Sequence, residues 1–442
     1  MKKRILALLL SLAMMFALAA CSNSSSNATN PPDNGGNQGS EATQQPQQGG
    51  DETIALRVWG AEEDQTLLSD LIDKFKAAYP DKTFDIQLGV ESESTAKDTI
   101  LTDVTAAADV YAFACDQLPD LISAGAILAL DDNMDAALQA YANKSLADVK
   151  AANSEGAVAS ATQNGTLYAF PFSADGFFMF YDSDYISAEQ AQSWDTLLDA
   201  AQAAGKKVGM TLASGWYNAS FFYGAGFTTG LNADGTTTMD WNGTSPSGVT
   251  GVQVVQAMLK IASHPAFMAI ADGDISNQIK SGSLCAAISG CWDSQVAAEA
   301  FGDDYVACKL PTYMAGDKEV QTGAVASYKL MGVNPYSQNT GWAMLLAEFL
   351  SNEESQVARY TARALPPCNI AAASDPAVAA DKGVAGLADQ SAYATLQAAG
   401  GNYWDPTASF GEQIAQGTIK DDDTSVQSAL DSLVAGVTAP LS

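Results

Sequence analysis

The chain has 442 residues, 51 of them acidic and 21 basic, and its formal net charge of −30 leaves no basic footprint for nucleic acid. Acidity of this size also argues against adsorption to anionic lipid. A single histidine, His264, and six cysteines without zinc-type spacing argue against histidine-dependent triads and histidine-rich metal centres, so no metal and no cofactor is expected.

At the N-terminus, Lys2, Lys3 and Arg4 precede an apolar run from Ile5 to Ala20, the order of a secretory signal over residues 1–20. The segment Leu18-Ala19-Ala20-Cys21 resembles the bacterial lipoprotein signal. That resemblance implies cleavage before Cys21 and diacylation of its thiol, and two acyl chains are what stable anchoring needs. Residues 21–52 then comprise the lipidated cysteine and a disordered tether. Ser22 to Asp51 is mostly Ser, Asn, Gly, Gln, Pro and Thr, with no aromatic residue, so it cannot build a core. As a flexible coil it spans about 30 Å.

The rest is too long for one hydrophobic core, and two lobes are expected. Ile54 to Trp59 is β-prone, and Leu67, Leu68, Leu71, Ile72, Phe75 and Tyr79 recur at helical spacing until Pro80. Strands follow at Phe84 to Leu88 and Asp109 to Ala114, with a helix from near Leu118, which is the alternation of an α/β lobe. In open α/β sheets ligands bind outside the carboxyl ends of the strands, which puts Trp59 to Asp64 and Phe113 to Gln117 on one rim. Trp194 and Trp342 lie on helical patterns and read as core, whereas Trp241, in a Gly-, Asn- and Ser-rich loop, reads as surface. His264 ends a helical pattern and reads as a C-terminal cation or loop residue. Cys115, Cys285, Cys291, Cys308 and Cys368 read as buried free thiols, with a disulfide among Cys285, Cys291 and Cys308 left open.

Several blocks share an order. They are Leu56-Arg57-Val58-Trp59-Gly60, Ala108 to Asp116, Gly125 to Leu130, Gly165-Thr166-Leu167-Tyr168-Ala169-Phe170-Pro171-Phe172 leading through Asp175 to Phe180-Tyr181-Asp182-Ser183-Asp184, Ser193 to Leu197, and Ala287 to Trp292. In this order they resemble the extracellular solute-binding proteins for sugars, of the maltose-binding type. Asp182-Ser183 stands where that family has asparagine-lysine, and Cys291 where proline is common.

The resemblance implies an α/β, two-lobed, periplasmic-binding-protein-like fold with a hinge and an interlobe ligand cleft. One lobe would comprise 53–172 plus 323–375 and the other 174–322 plus 376–442, with hinges near Ser173, Thr322 and Asp375. It further implies a monomeric, non-enzymatic, lipid-anchored component of an ABC importer. Such a protein works on the extracellular face of the cell membrane, captures malto-oligosaccharides, and hands them to permease subunits.

A pyranose presents apolar C–H faces and a rim of hydroxyls, so its receptor needs aromatic planes and carboxylates or amides. Trp59, Glu62, Glu63, Phe113, Asp116, Gln117 and Asp175 offer these from the first lobe and the hinge, and Trp216, Tyr217, Trp292 and Trp404 from the second. The resemblance assigns stacking to Phe113, Trp292, Trp404 and either Trp216 or Tyr217. It assigns hydroxyl binding to Asp116 and a carboxylate at the lobe crossing to Asp175. Two other readings compete. A glycoside hydrolase would need a carboxylate pair with one raised pKa. A polyamine receptor would cage its amines with the same aromatics and acids. The segments 59–65, 113–119, 170–181, 214–223 and 290–295 contain no Arg or Lys, which points to a neutral or cationic ligand.

Overall fold

A computed structural model describes residues 53–440 apart from 233, 234 and 397. The expected signal, Cys21 and the tether all lie outside the described residues. Ile54–Gly60 forms the first strand, burying Leu56 and Val58 on alternate positions as a half-covered strand does. Helix Gln65–Ala78 follows and buries Leu68, Leu71, Ile72 and Phe75 on one stripe. It stops at Tyr79 because Pro80 disfavours the α conformation in the residue before it.

Phe84–Val90 pairs in parallel with the first strand from Ile54↔Phe84 onward, and Val110–Ala114 pairs with its other edge at Val58↔Val110. Ten-residue strand Ala324–Val333 runs antiparallel to both Val110–Ala114 and Ala169–Asp175. A second sheet has the order Phe267–Ala269, Lys207–Met210, Leu284–Gly290, Phe177–Asp182, Tyr305–Cys308.

Two separate hydrophobic cores cover these sheets, the mark of a two-lobed chain. One gathers Leu56, Phe75, Phe113, Phe172, Leu330 and Leu346. The other gathers Phe177, Trp194, Phe222, Trp241, Val325 and Phe410. The chain changes core between Phe172 and Phe177, and again within a single strand between Val325 and Leu330.

Trp194 is buried as expected, and Trp342 is half-buried in an edge-to-face cluster with Tyr79 and Phe84. Trp241 corrects the surface reading. It is fully buried and lies flat on Phe222, with ring centroids 4.1 Å apart and planes 6° from parallel. A polar, glycine-rich stretch delivers the ring into the second core, where stacking and burial outweigh what loop composition suggests. All five described cysteines are free thiols, four of them buried, so no disulfide joins Cys285, Cys291 or Cys308. His264 follows helix Gly251–Ala262, and its Nε2 lies 3.4 Å from Asp199.

Candidate functional site

The two strands shared by the lobes form a ribbon. Ser327 lies opposite Asp175 and Lys329 opposite Ser173, and since side chains alternate along a strand all four point to one face. Lys329 Nζ is bonded to Asp175 Oδ2 at 2.9 Å. Onto the same face converge the loops that leave the carboxyl ends of the parallel strands. Arg359, from helix Glu353–Arg363, ties three of these parts together. It donates to Asp64 Oδ2 at 2.7 Å, to Glu93 Oε1 at 2.8 Å and to Ser173 Oγ at 2.8 Å, and its guanidinium lies 3.8 Å above the Phe172 ring. Arg363 adds a second ion pair to Asp64.

Several first-lobe expectations need revision against this geometry. Phe113 is wholly buried in the first core, edge-on to Tyr111 at 5.9 Å, because strand Val110–Ala114 is covered on both faces; it is not presented to the cleft. Gln117 is buried and fully engaged. Its amide donates to the Glu93 and Ser94 carbonyls and accepts from the Lys97 N–H, so it braces a loop. Trp59 is half-buried against the first core, its ring lying across Gly89 of the neighbouring strand. Glu62 and Glu63 are exposed on a 3-10 turn, and it is the third acid of that turn, Asp64, that enters the network.

Asp116 and Asp175 do lie at the ribbon. Asp175 is buried and paired with Lys329, and the Cys291 thiol approaches it at 4.0 Å. Burial holds the Asp116 carboxyl above its usual range, partly offset by the nearby Lys329 ammonium.

In the second lobe the aromatics cluster around the ends of two elements. Helix Gly215–Gly224 opens with Trp216 and Tyr217, and strand Leu284–Gly290 ends just before Trp292. The Trp216 and Trp292 rings stack with centroids 5.5 Å apart and planes 23° from parallel, and the Phe177 ring packs edge-to-face on Trp216 with centroids 4.7 Å apart. Trp292 is 41% exposed, the most open of the candidate aromatics. Its ring folds over Gly290, where an added Cβ would meet it at 2.3 Å, so only glycine leaves the room.

Beneath this pair lies a polar brace. Ser276 and Ser289 both donate to the Asp293 carboxylate, at 2.5 and 2.6 Å, and the Tyr217 hydroxyl lies 3.5 Å from Ser289 Oγ. Tyr217 is therefore buried in the support of the platform and not on its surface. Trp404 is half-buried and edge-on to Tyr403, whose hydroxyl bonds the Gly215 carbonyl at 2.9 Å.

The premise that the site lacks cations is also corrected. Lys329, Arg359 and Arg363 reach it from far along the chain, although the rim segments themselves carry no Arg or Lys. One signal for Lys329 was present in the sequence: a lysine is the one charged residue in strand Ala324–Val333.

A model of the bacterial extracellular solute-binding protein family matches residues 70–386. A chain solved with acarbose is 31% identical, with a TM-score of 0.74, over 88% of this chain and 99% of that one. The maltodextrin-binding protein of L. casei BL23, solved without ligand, is 23% identical, with a TM-score of 0.73, over 88% of this chain and 100% of its own. The maltotriose-binding protein of Thermus thermophilus, bound with maltotriose, is 18% identical, with a TM-score of 0.69, over 87% and 99%. No curated protein matches by sequence.

Proposed function

Because this chain belongs to the family of bacterial extracellular solute-binding proteins, we propose that it captures an oligosaccharide, of malto type, for an ABC importer. One observation carries the reading. An exposed tryptophan, Trp292, stacked on Trp216, belongs to the same ensemble of strand ends as Asp116, a carboxylate that no described side chain hydrogen-bonds. An aromatic plane suits the C–H face of a pyranose, and a free acceptor suits its hydroxyls. The acarbose, maltodextrin and maltotriose named for the similar structures support the same class.

A polyamine fits less well. Caging amines takes carboxylates without counter-ions, whereas Asp64, Glu93 and Asp175 are already matched by Arg363, Arg359 and Lys329. Hydrolysis fits less well too, since Asp175, one of the two acids of the proposed site, is spent on Lys329.

The lobes are assigned to 53–172 plus 323–375 and to 174–322 plus 376–442, with the second crossing a few residues further on, between Val325 of the second core and Leu330 of the first. Acylated Cys21 anchors the monomer outside the membrane through its tether. A sugar touching both lobes favours the closed form, so binding shifts a hinge equilibrium. Calorimetric titration with maltotetraose, xylo-oligosaccharides and spermidine tests the assignment. Heat from the malto series alone is the expected result, and a response to spermidine without one to sugars would overturn it. Shorter sugars appearing on incubation with maltotetraose would instead mark an enzyme.

A further inference from the structure

Lys329 is an unusual residue for its position. It stands in the middle of a strand shared by both lobes, its backbone paired to Ala114 on one side and Ser173 on the other, yet its side chain is only 22% exposed. Burial by itself would push its ammonium down, but Asp175, then Glu93 and Asp116, more than offset this and hold it above the ordinary lysine range. The group is therefore a fixed cation at neutral pH.

An ammonium has three N–H donors, and among the described residues Asp175 is its one hydrogen-bond acceptor. Glu93 is taken up by Arg359. Asp116 supplies the complementary function, since its carboxylate receives no hydrogen bond from a described side chain. Asp116 stands in the turn Cys115–Gln117 that directly follows Ala114, the backbone partner of Lys329, so a carboxylate that no described side chain bonds lies near enough to the ammonium for each to feel the other's charge. A hydroxyl group, which donates one bond and accepts others, satisfies both at once.

We infer that Lys329 is a ligand-contacting, specificity-determining residue, gripping hydroxyls of a polyhydroxylated ligand together with Asp116 and barring amines by its charge. The inference rests on the oligosaccharide reading for its first half and is independent of it for its second. Neither a carboxylate-rich floor nor a lone ammonium has this selectivity. The flanking acids disfavour anions and Lys329 disfavours cations, leaving neutral polyols.

The test titrates wild type, Lys329→Met and the neutral pair Lys329→Met/Asp175→Asn with maltotetraose and with spermidine. The double variant removes the buried carboxylate that the single one orphans, which guards against misfolding, and circular dichroism checks both. Maltotetraose affinity should fall about tenfold or more in both variants, the worth of bonds to a charged donor. Spermidine binding should appear in Lys329→Met, an opposite change that loss of structure cannot produce. Folded variants that bind maltotetraose as wild type does overturn the contact. If wild type takes no sugar, the proposed function fails, and an unchanged spermidine titration then overturns the role of Lys329 as well.

Discussion

Arg359→Leu should be among the most damaging single changes in the first lobe, although the preceding helix sequence Glu353-Glu354-Ser355-Gln356-Val357-Ala358-Arg359 is mostly polar. The guanidinium is buried, with three hydrogen bonds of 2.7 to 2.8 Å and an aromatic ring 3.8 Å below it. Asp64 keeps Arg363 when Arg359 is removed, but Glu93 loses the one cation bonded to it. Breaking a buried pair from one side costs about 3–5 kcal/mol, because the remaining charge stays desolvated. A surface arginine would cost within about 0.5 kcal/mol. Adding Glu93→Gln removes the orphaned charge and should return about 1–3 kcal/mol. Urea unfolding of wild type, the single and the double variant reads all three values. A single-variant loss under about 1 kcal/mol, or no recovery in the double variant, would refute the argument.

Burial and exposure set three further outcomes, and the signal sequence a fourth. Trp292→Ala should weaken maltotetraose binding by about 1–3 kcal/mol with little change in unliganded stability, taking base stacking on aromatics as the analogue, whereas Trp241→Ala should cost about 3–5 kcal/mol of stability. Calorimetry and denaturant unfolding separate the two, and a large stability loss for Trp292→Ala with unchanged affinity would remove it from the site. Burial pushes the Cys285, Cys291, Cys308 and Cys368 thiols up to about 12 and Cys115 to about 11, so a thiol-specific disulfide reagent at pH 8 should label none of the five until the protein unfolds. Since these folded values lie above the ordinary thiol value of 9.0, their contribution to stability is present below that pH and is lost as pH rises through the folded values; improved alkaline stability on Cys368→Ala would fit. Cys21→Ala should release the protein from the membrane or leave it unprocessed, and lipid-labelled, normally processed protein in that variant would end the anchor assignment.

The first lobe was legible because its opening strand and helix each expose one face, so the period of the apolar residues reports the element. Legibility failed where elements are covered on both sides. Val110–Ala114 is buried at every residue, so no alternation marks Phe113 as pointing to the core or to the cleft. Gln117 failed for a related reason, since an amide suits a ligand and a loop carbonyl equally, and only the fold shows Glu93 and Ser94 taking its donors. Trp241 was hidden by its neighbours, since local polarity says nothing about one ring that reaches Phe222. Trp292 was singled out through resemblance alone, and the structure leaves its ring exposed.

The charged network was the least legible part, because its members are contributed from 64 to 363 along the chain and only Lys329, a charge inside strand Ala324–Val333, stands out locally. Its arrangement bears on how a chain of formal charge −30 receives a neutral ligand. A cleft lined by unpaired acids would concentrate cations, since low-dielectric walls focus the field of one sign. Here three buried acids, Asp64, Glu93 and Asp175, face three cations, Arg359, Arg363 and Lys329, all in contact. The local field is thereby largely cancelled, and the surface acidity is left to act on solubility and on the distance kept from other anionic surfaces. Cancellation also fixes geometry. Arg359 joins the turn after the first strand, the loop after the second and the hinge strand, so a ligand bonded to any of these meets parts already held in register, and less ordering has to be completed on binding.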